Sequence, residues 1–287
     1  PSSLPDSPIC GSFGEPARVW LNELACSGIG VWQFLPLAPP DSFGSPYSSP
    51  SSFAFNPWFL DENDLVRDGF LANTPENSSS SNDNFNNRID FQLVDSRVKS
   101  LRYSLVENWE KQNRTIKEEF KMWCSRQFWL DDHSKFMELK IQNNNLPWWE
   151  WSDKYAGRDK KEIANWEKSN QRELLGHNLI QWHLDRQWKS IRKLAKNKGI
   201  FLFGDVPFYV SKDSADVWSN RSLFSILSNS DTYLQSGVPP DYFSDTGQLW
   251  GNPVYRWSRH KATKYRWWRK RISRHLEQVD FLRLDHF

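Results

Sequence analysis

The sequence lacks the features that mark several protein classes. Its three cysteines, Cys10, Cys26 and Cys124, are widely spaced and form no C-x-x-C pair, so we expect no disulfide framework and no zinc or redox motif. No apolar run approaches the roughly 20 residues of a membrane span. Residue 1 begins no charged segment followed by an apolar one, so no secretory signal is predicted. These absences predict a soluble protein with no membrane partner.

A charge excess of one sign is also absent. The chain has 37 basic and 35 acidic residues, a formal net charge of +2, and no long basic block, so we expect no nucleic-acid partner. Aromatic side chains are abundant instead, with 17 Trp, 19 Phe and 8 Tyr making up 15% of the chain. A composition rich in Trp and Asn leaves carbohydrate open as a partner.

The most specific chemistry lies in the last nine residues, 279–287. An apolar run that follows a helical segment predicts a strand, in which Arg283 and Asp285 share one face while Leu282 and Leu284 share the other. A guanidinium beside a carboxylate favours the ionised carboxylate, as a nucleophile requires. The alternative is a structural ion pair at a strand end, which is common in proteins.

A second strand is predicted at residues 200–205, where a continuous apolar run ends in Asp205. More than fifty residues separate this strand from a predicted helix at about 263–277. A connection of that length predicts a functional loop, such as a lid over a sugar site. One face of this helix is apolar and is predicted to pack against the rest of the protein. It carries Tyr265, Trp268, Ile272 and Leu276. Strand, loop, helix and strand then form a parallel unit.

The N-terminal part predicts a helix from about Glu15 that stops at Gly28, then a strand at 31–37. The loop after this strand contains Tyr47, a candidate sugar contact, although a tyrosine in such a turn is more often a packing anchor. Residues 73–87 predict a solvated loop, and residues 96–198 predict helices. Within the helices, three tryptophans could stack on sugars but more often pack in the core: Trp148, Trp149 and Trp151.

Several segments, in this order along the whole chain, resemble the 4-alpha-glucanotransferases, also called amylomaltases or disproportionating enzymes. They are Ser2-Ser-Leu-Pro, Val31-Trp-Gln-Phe-Leu-Pro-Leu, Ser45-Pro-Tyr, Asn56-Pro, Gly204-Asp-Val-Pro-Phe-Tyr-Val, Asp213-Ser-Ala-Asp-Val-Trp, Gly237-Val-Pro-Pro-Asp-Tyr-Phe-Ser-Asp-Thr-Gly-Gln-Leu-Trp-Gly-Asn-Pro and Arg283-Leu-Asp-His-Phe. The long segment that begins at Gly237 is very specific to this family.

The resemblance implies an α/β fold, a TIM (β/α)8 barrel of the alpha-amylase superfamily, of which this chain carries the N-terminal half. The expected divisions are the start of the barrel at 1–72, a mainly helical insertion at 73–198, and further barrel strands with the lid loop at 199–287. The resemblance also implies a cytoplasmic protein, or one of the plastid stroma if the source is a plant.

The implied activity is the transfer of a segment of an alpha-1,4-glucan to the 4-hydroxyl of another glucan or of glucose. It would follow a retaining double displacement. The substrates would be alpha-1,4-glucans and maltooligosaccharides, and the resemblance implies neither a metal nor an organic cofactor. By motif match, Asp285 is the nucleophile and Arg283 its charge partner. The implied substrate-binding residues are Tyr47, Asp205, Tyr242, Phe243, Trp250 and His286.

The sequence departs from the family pattern at two places, since Phe55 replaces a glycine usual before Asn-Pro and residues 7–12 differ from the usual Gly-rich form. Either departure could alter a peripheral sugar contact. The family's acid/base and a third carboxylate lie downstream of the nucleophile strand, so we expect this chain alone to be inactive. The alternative function is a non-catalytic glucan-binding or scaffold protein, which would lack that downstream glutamate.

Overall fold

A computed structural model of the chain describes all residues except 5, 6, 8, 75–88, 228, 241, 243, 286 and 287, and leaves the side chain of Asp285 undescribed. The predicted solvated loop therefore lies almost entirely outside the described residues. No helix within the described residues is long and apolar enough to cross a membrane.

Five strands in the described part of the chain form two sheets. In chain order they are β1 (Val31–Gln33), β2 (Phe201–Pro207), β3 (Gln235–Val238), β4 (Gln248–Pro253) and β5 (Phe281–Asp285). The first sheet is parallel and has the order β1-β2-β5, so β2 is its central strand. The predicted strand at 31–37 is shorter than expected, because the chain leaves the ladder before Pro36. The second sheet is an antiparallel pair of β3 and β4.

Eleven α-helices are found among the described residues. They are α1 (Glu15–Cys26), α2 (Glu62–Arg67), α3 (Phe91–Trp109), α4 (Arg114–Arg126), α5 (Leu130–Gln142), α6 (Asp153–Ala156), α7 (Lys160–Ser169), α8 (Gln171–Asn197), α9 (Ala215–Ser219), α10 (Trp257–Ala262) and α11 (Arg266–Leu276). Helices α3 to α8 lie between β1 and β2 in sequence, as the helical pattern predicted.

Helix α8 is the longest helix, and its apolar stripe lies in the core. The stripe is buried throughout and consists of Ile180, Leu184, Trp188, Ile191 and Ala195. Its neighbours include α1, α3, α4, α5 and β2. Helix α8 therefore connects the helical region to the parallel sheet.

Two glutamines of α8 also hold the segment that follows β1. Gln181 accepts from the backbone N–H of Phe55 at 2.9 Å and donates to its carbonyl at 2.8 Å. Gln187 makes the same pair of bonds to Asp61, at 3.0 and 2.9 Å. Because all four groups are buried, each amide satisfies a backbone donor and acceptor that would otherwise be costly to bury.

The helix predicted at about 263–277 is α11, which begins at Arg266 and ends at Leu276. Positive φ angles of 53° and 54° at Lys264 and Tyr265 separate it from the preceding helix α10. The buried face of α11 was predicted wrongly, since Tyr265 and Leu276 are exposed. Trp268 is buried as expected, but the other side chains fully buried on this helix are Trp267, Arg271, Arg274 and His275. Buried cations therefore take part in the packing of α11.

One face of the parallel sheet is open and apolar. Val31, Phe201 and Phe281 are 45%, 52% and 50% exposed. The strand register and the alternation of side chains place them on the same face as Asp205 and Arg283. On the opposite face Leu202 is fully buried. The polar residues at the carboxyl end of this open face form the site described next.

Candidate active site

Three residues singled out from the sequence meet at one carboxylate. The phenol of Tyr47 donates to Oδ2 of Asp205 at 2.7 Å. The Nη1 atom of Arg283 donates to the same oxygen at 3.1 Å. These residues are 158 and 78 positions apart from Asp205 in the chain, so only the fold brings them together.

The sheet explains why Asp205 and Arg283 face each other. Asp205 on β2 is the register partner of Arg283 on β5, and register partners on neighbouring strands project from the same face. Both strands are parallel and both residues lie near their carboxyl ends. This is the end of the strands where α/β barrels place their reactive groups.

Tyr47 is held by the local chemistry of its loop. Asp41 accepts from the backbone N–H groups of Phe43 and Ser45, each at 2.9 Å, which closes a turn typical of aspartate. Ser45 then caps a short 3-10 turn, Pro46–Ser48, that contains Tyr47. The tyrosine is only partly buried, so its prediction as a ligand contact is compatible with its position.

The two charged side chains of the cluster differ in their exposure to solvent. The side chain of Asp205 is 2% exposed, whereas that of Arg283 is 47% exposed. The second carboxylate oxygen of Asp205, Oδ1, is buried and has no hydrogen-bond partner among the described residues. Tyr47 and Arg283 therefore fix the position of the Asp205 carboxylate through Oδ2. No group of three or more His, Cys, Asp or Glu suited to a metal ion occurs in the described part of the chain.

Arg271 is a supporting residue that the sequence reasoning missed. Its guanidinium donates to the carbonyl oxygens of Pro207 at 2.6 Å and Phe208 at 2.9 Å, just after Asp205. It also donates at 3.1 Å to the hydroxyl of Tyr255, which itself donates to the Phe208 carbonyl. Arg271 is 1% exposed. This buried cation fixes the end of β2, although nothing in the helical pattern signalled it.

The remaining predicted site residues are placed less completely. The backbone of Asp285 pairs with Pro207 at the end of β5, but its side chain, with Phe243 and His286, lies outside what the structure describes. Tyr242 is 99% exposed. Trp250 is partly buried on β4, and its indole Nε1 donates to Oε1 of Gln248 at 3.0 Å. Their roles toward a substrate stay predictions.

The structure also shows where the three neighbouring tryptophans and the unusual Phe55 lie. Trp148 and Trp151 are 0% and 4% exposed, so they belong to the core, and Trp149 lies beside the ammonium of Lys212 at 4.0 Å. Phe55, which departs from the family pattern, is 1% exposed and contacts the ring of Phe13. This departure therefore changes core packing at that position.

Comparisons with known proteins show the family to which this chain belongs. The family model described as 4-alpha-glucanotransferase matches residues 1–287. A 4-alpha-glucanotransferase from Synechocystis sp. is 37% identical over 290 residues, which cover 100% of this chain and 57% of that protein. A 4-alpha-glucanotransferase from Clostridium butyricum is 35% identical, and the match covers 100% of this chain and 58% of that protein. The chain thus spans a little over half the length of these curated relatives.

Among solved structures, an amylomaltase from Streptococcus agalactiae in complex with acarbose superimposes with a TM-score of 0.92 at 30% identity. The match covers 100% of this chain and 58% of that one. The parallel strands and surrounding helices are therefore part of a TIM-type barrel, and the predicted fold class is confirmed. On the family match over its whole length, this chain belongs to the 4-alpha-glucanotransferase family.

Proposed function

We propose that the full-length protein is a 4-alpha-glucanotransferase that moves a segment of an alpha-1,4-glucan to a new 4-hydroxyl. The observation that carries this proposal is the convergence of Tyr47 and Arg283 on Asp205 at the carboxyl ends of neighbouring parallel strands. Family membership supports it, as does the acarbose bound to the Streptococcus agalactiae protein. Substrates would be alpha-1,4-glucans and maltooligosaccharides, with glucose among the acceptors.

In the proposed mechanism a carboxylate oxygen of Asp285 attacks the anomeric carbon of the bound glucan. The bond from that carbon to the glycosidic oxygen breaks, and the leaving 4-hydroxyl takes its proton from a carboxylic acid of the full-length protein. The 4-hydroxyl of an acceptor then attacks the covalent intermediate, gives its proton to the conjugate base of that acid, and releases the carboxylate of Asp285. Two inversions at the same carbon retain the alpha configuration.

The described residues would hold the glucose unit at the cleavage point. Asp205 lies at the carboxyl end of β2, where Tyr47 and Arg283 hold its carboxylate, and it is the expected contact for a hydroxyl of that unit. Arg283 is half exposed at the same end of the strands, and we expect its guanidinium to face the bound substrate. We place His286 in the same group of contacts. The proposed parts of the chain are the start of the barrel at 1–72, a mainly helical insertion at 73–198, and further barrel strands with the lid loop at 199–287.

Replacing Arg283 tests this site in the full-length protein. Arg283→Ala removes the cation beside a carboxylate that is 2% exposed, so we expect transfer between maltotriose molecules to fall by about 10²-fold or more. Arg283→Lys keeps the positive charge but lacks the planar guanidinium with its paired N–H donors, so it should recover only part of the transfer rate. The kcat of disproportionation and the melting temperature are measured for both variants.

Arg114→Ala is the matched control, because Arg114 is a surface residue with a 91% exposed side chain and pairs only locally with Glu118. It should leave the kcat unchanged. If Arg283→Ala keeps the fold and loses less than about tenfold in kcat, Arg283 does not belong to the reacting site. If no transfer occurs even in the wild type but glucan binds, the protein is a glucan-binding scaffold.

Trp250 offers a test of the proposed lid. It lies on β4 of the hairpin between β2 and α10, and an aromatic cover over the intermediate would exclude water and position a sugar acceptor. Gly251 has a φ of +73°, a conformation that favours glycine and allows the hairpin to bend beside Trp250. We expect Trp250→Ala to be folded and to lose transfer relative to hydrolysis by about tenfold.

The neighbouring Leu249→Ala is the control, because Leu249 is also apolar and 74% exposed but projects from the opposite side of the strand. Released glucose measures hydrolysis, and exchange between maltooligosaccharides measures transfer. An unchanged ratio in a folded Trp250→Ala variant would show that Trp250 has no part in acceptor choice.

A further inference from the structure

Arg271 on α11 is a buried cation with no carboxylate in contact. It is 1% exposed, and Arg274 is the residue of α11 that forms ion pairs in the described part of the chain. The guanidinium carbon of Arg271 lies 5.5 Å from the ring centroid of Trp267 and 5.2 Å from that of Trp268. A buried cation costs more to desolvate than an apolar side chain of similar size, so packing alone does not account for an arginine here.

The guanidinium of Arg271 holds two carbonyl groups at the end of β2. Its Nη2 donates to the oxygen of Pro207 at 2.6 Å, and its Nη1 donates to the oxygen of Phe208 at 2.9 Å. Proline has no N–H, so the carbonyl is the backbone group through which hydrogen bonds can hold Pro207. Pro207 is the register partner of Asp285, and Asp205 lies two residues earlier on the same strand. Arg271 therefore fixes the strand end beside the proposed nucleophile.

Tyr255 connects the hairpin of β3 and β4, which we call the lid hairpin, to the same carbonyl group. It is the second residue after β4, which ends at Pro253. Its hydroxyl donates to the oxygen of Phe208 at 2.6 Å and accepts from Nη1 of Arg271 at 3.1 Å. Burial raises the pKa of the Tyr255 phenol, so the hydroxyl keeps its proton at neutral pH. The Phe208 carbonyl thus accepts one bond from α11 and one from the base of the lid hairpin.

Aromatic packing holds the ring of Tyr255 independently of its hydroxyl. The residue is 4% exposed, and its ring centroid lies 5.6 Å from that of Phe208, 6.0 Å from that of Tyr209 and 5.0 Å from that of Trp268. Phenylalanine at position 255 would keep these ring contacts. Removing the hydroxyl alone therefore separates the hydrogen bonds of Tyr255 from its packing.

We propose that Tyr255 and Arg271 are positioning residues for the transfer reaction, which tie the base of the lid hairpin to the end of β2 and so align the hairpin with Asp205 and Asp285. The inference rests on the proposed function, because it gives both residues a part in that reaction. A small displacement of reacting groups weakens contacts made in the transition state more than it weakens substrate binding. The kcat should therefore depend on this link much more than the KM does.

Tyr255→Phe in the full-length protein tests the link with the least change in packing. The kcat of maltotriose disproportionation should fall about tenfold while the KM stays within about twofold. Transfer relative to hydrolysis should fall about threefold, because the lid hairpin loses a contact at its base. Arg271→Lys keeps a cation but loses the fork that reaches both carbonyls, so its kcat should fall at least as far. If Arg271→Lys does not fold, the result for Tyr255→Phe decides.

Arg97→Lys is the matched control for a loss of stability. Arg97 on α3 is also buried, at 6% exposed, and also donates to two backbone carbonyl oxygens, those of Trp58 and Leu60. Its replacement should lower the melting temperature but leave the kcat and the transfer-to-hydrolysis ratio unchanged at a temperature where every variant is folded. A Tyr255→Phe protein with the kcat of the wild type would overturn the proposal. An equal fall of kcat in Arg97→Lys would also overturn it, since general destabilisation would then explain the loss.

Hydrogen exchange followed by mass spectrometry gives a readout that does not require activity. In Tyr255→Phe the backbone N–H groups should exchange faster both in the lid hairpin and in β5, whereas in Arg97→Lys they should exchange at the wild-type rate in both. Unchanged exchange in β5 of Tyr255→Phe would overturn the proposed link even in an active enzyme. If the wild type transfers no glucan, the proposed function fails, and the exchange rates still decide whether these residues connect the hairpin to β5.

Discussion

Asp285→Asn in the full-length protein should lower glucan transfer by about 10⁴-fold, because it removes the proposed nucleophile. The amide has nearly the shape of the carboxylate but cannot form the covalent glycosyl ester. The residue lies at the end of β5, where its backbone pairs with Pro207 on β2, so the sheet is expected to stay intact. Maltotriose disproportionation measures the rate, and thermal unfolding followed by circular dichroism measures the fold.

The control for this experiment is Asp90→Asn. Asp90 is exposed and caps α3 by accepting from the backbone N–H of Leu93, and asparagine caps a helix about as well as aspartate. Its activity and stability should match those of the wild type. A folded Asp285→Asn protein that retains a substantial fraction of wild-type transfer would remove Asp285 from the mechanism and with it the proposed retaining route.

Acid should destabilise the fold strongly. All five histidines at described positions have pKa values lowered from 6.5, with burial as the largest cause: His133, His177, His183, His260 and His275. For His133 and His275 the pKa falls to about 3. Below pH 6.5 the unfolded chain binds more protons at these histidines than the folded chain does. The free energy of unfolding therefore falls as the pH drops below 6.5.

The size of this effect follows from proton linkage. Each of His133 and His275 should remove about 2 kcal/mol from the free energy of unfolding between pH 7 and pH 5. Asp216 acts in the opposite sense, because burial raises its pKa to about 6. Its carboxyl group is protonated more readily in the folded state, so its contribution is lost as the pH rises from about 4 to 6. The two histidines together outweigh this carboxylate.

Urea unfolding at a series of pH values checks the prediction. The free energy of unfolding should be highest near neutral pH and should decrease steeply below pH 6.5. His133→Asn removes one titrating group, so its curve should be shallower by about one proton over the same range. A free energy of unfolding that stays constant between pH 7 and pH 5 would contradict the proposed neutral state of the buried imidazoles.

The strands that carry Asp205 and Arg283 could be predicted from the sequence, because each lies in an apolar run and successive side chains of a strand point to opposite faces. The register between these two strands could not be predicted. A shift of β5 by two residues would keep Arg283 on the same face yet move it away from Asp205. Parallel pairing between residues 78 positions apart in the chain is fixed by packing that no local pattern contains.

The burial of Arg271 and Arg274 shows a different limit of sequence reasoning. A helical pattern assigns arginine to the solvent face, so Tyr265 and Leu276 were expected to pack in place of these two residues. Arg274 instead donates to the carboxylate of Asp185 at 3.1 Å, 89 residues away. The partners that make such burial favourable come from distant parts of the chain, and they are visible only once the fold is known.

The paired glutamines of α8 set a constraint on chain length. Gln181 and Gln187 are six residues apart, and so are Phe55 and Asp61, the residues whose backbones they bind. Six residues of helix rise about 9 Å, so the segment from Phe55 to Asp61 is matched to a fixed span of a rigid element. One residue inserted into or deleted from 56–60 would break one of the two amide pairs. In related sequences this segment should therefore vary in residue identity but not in length.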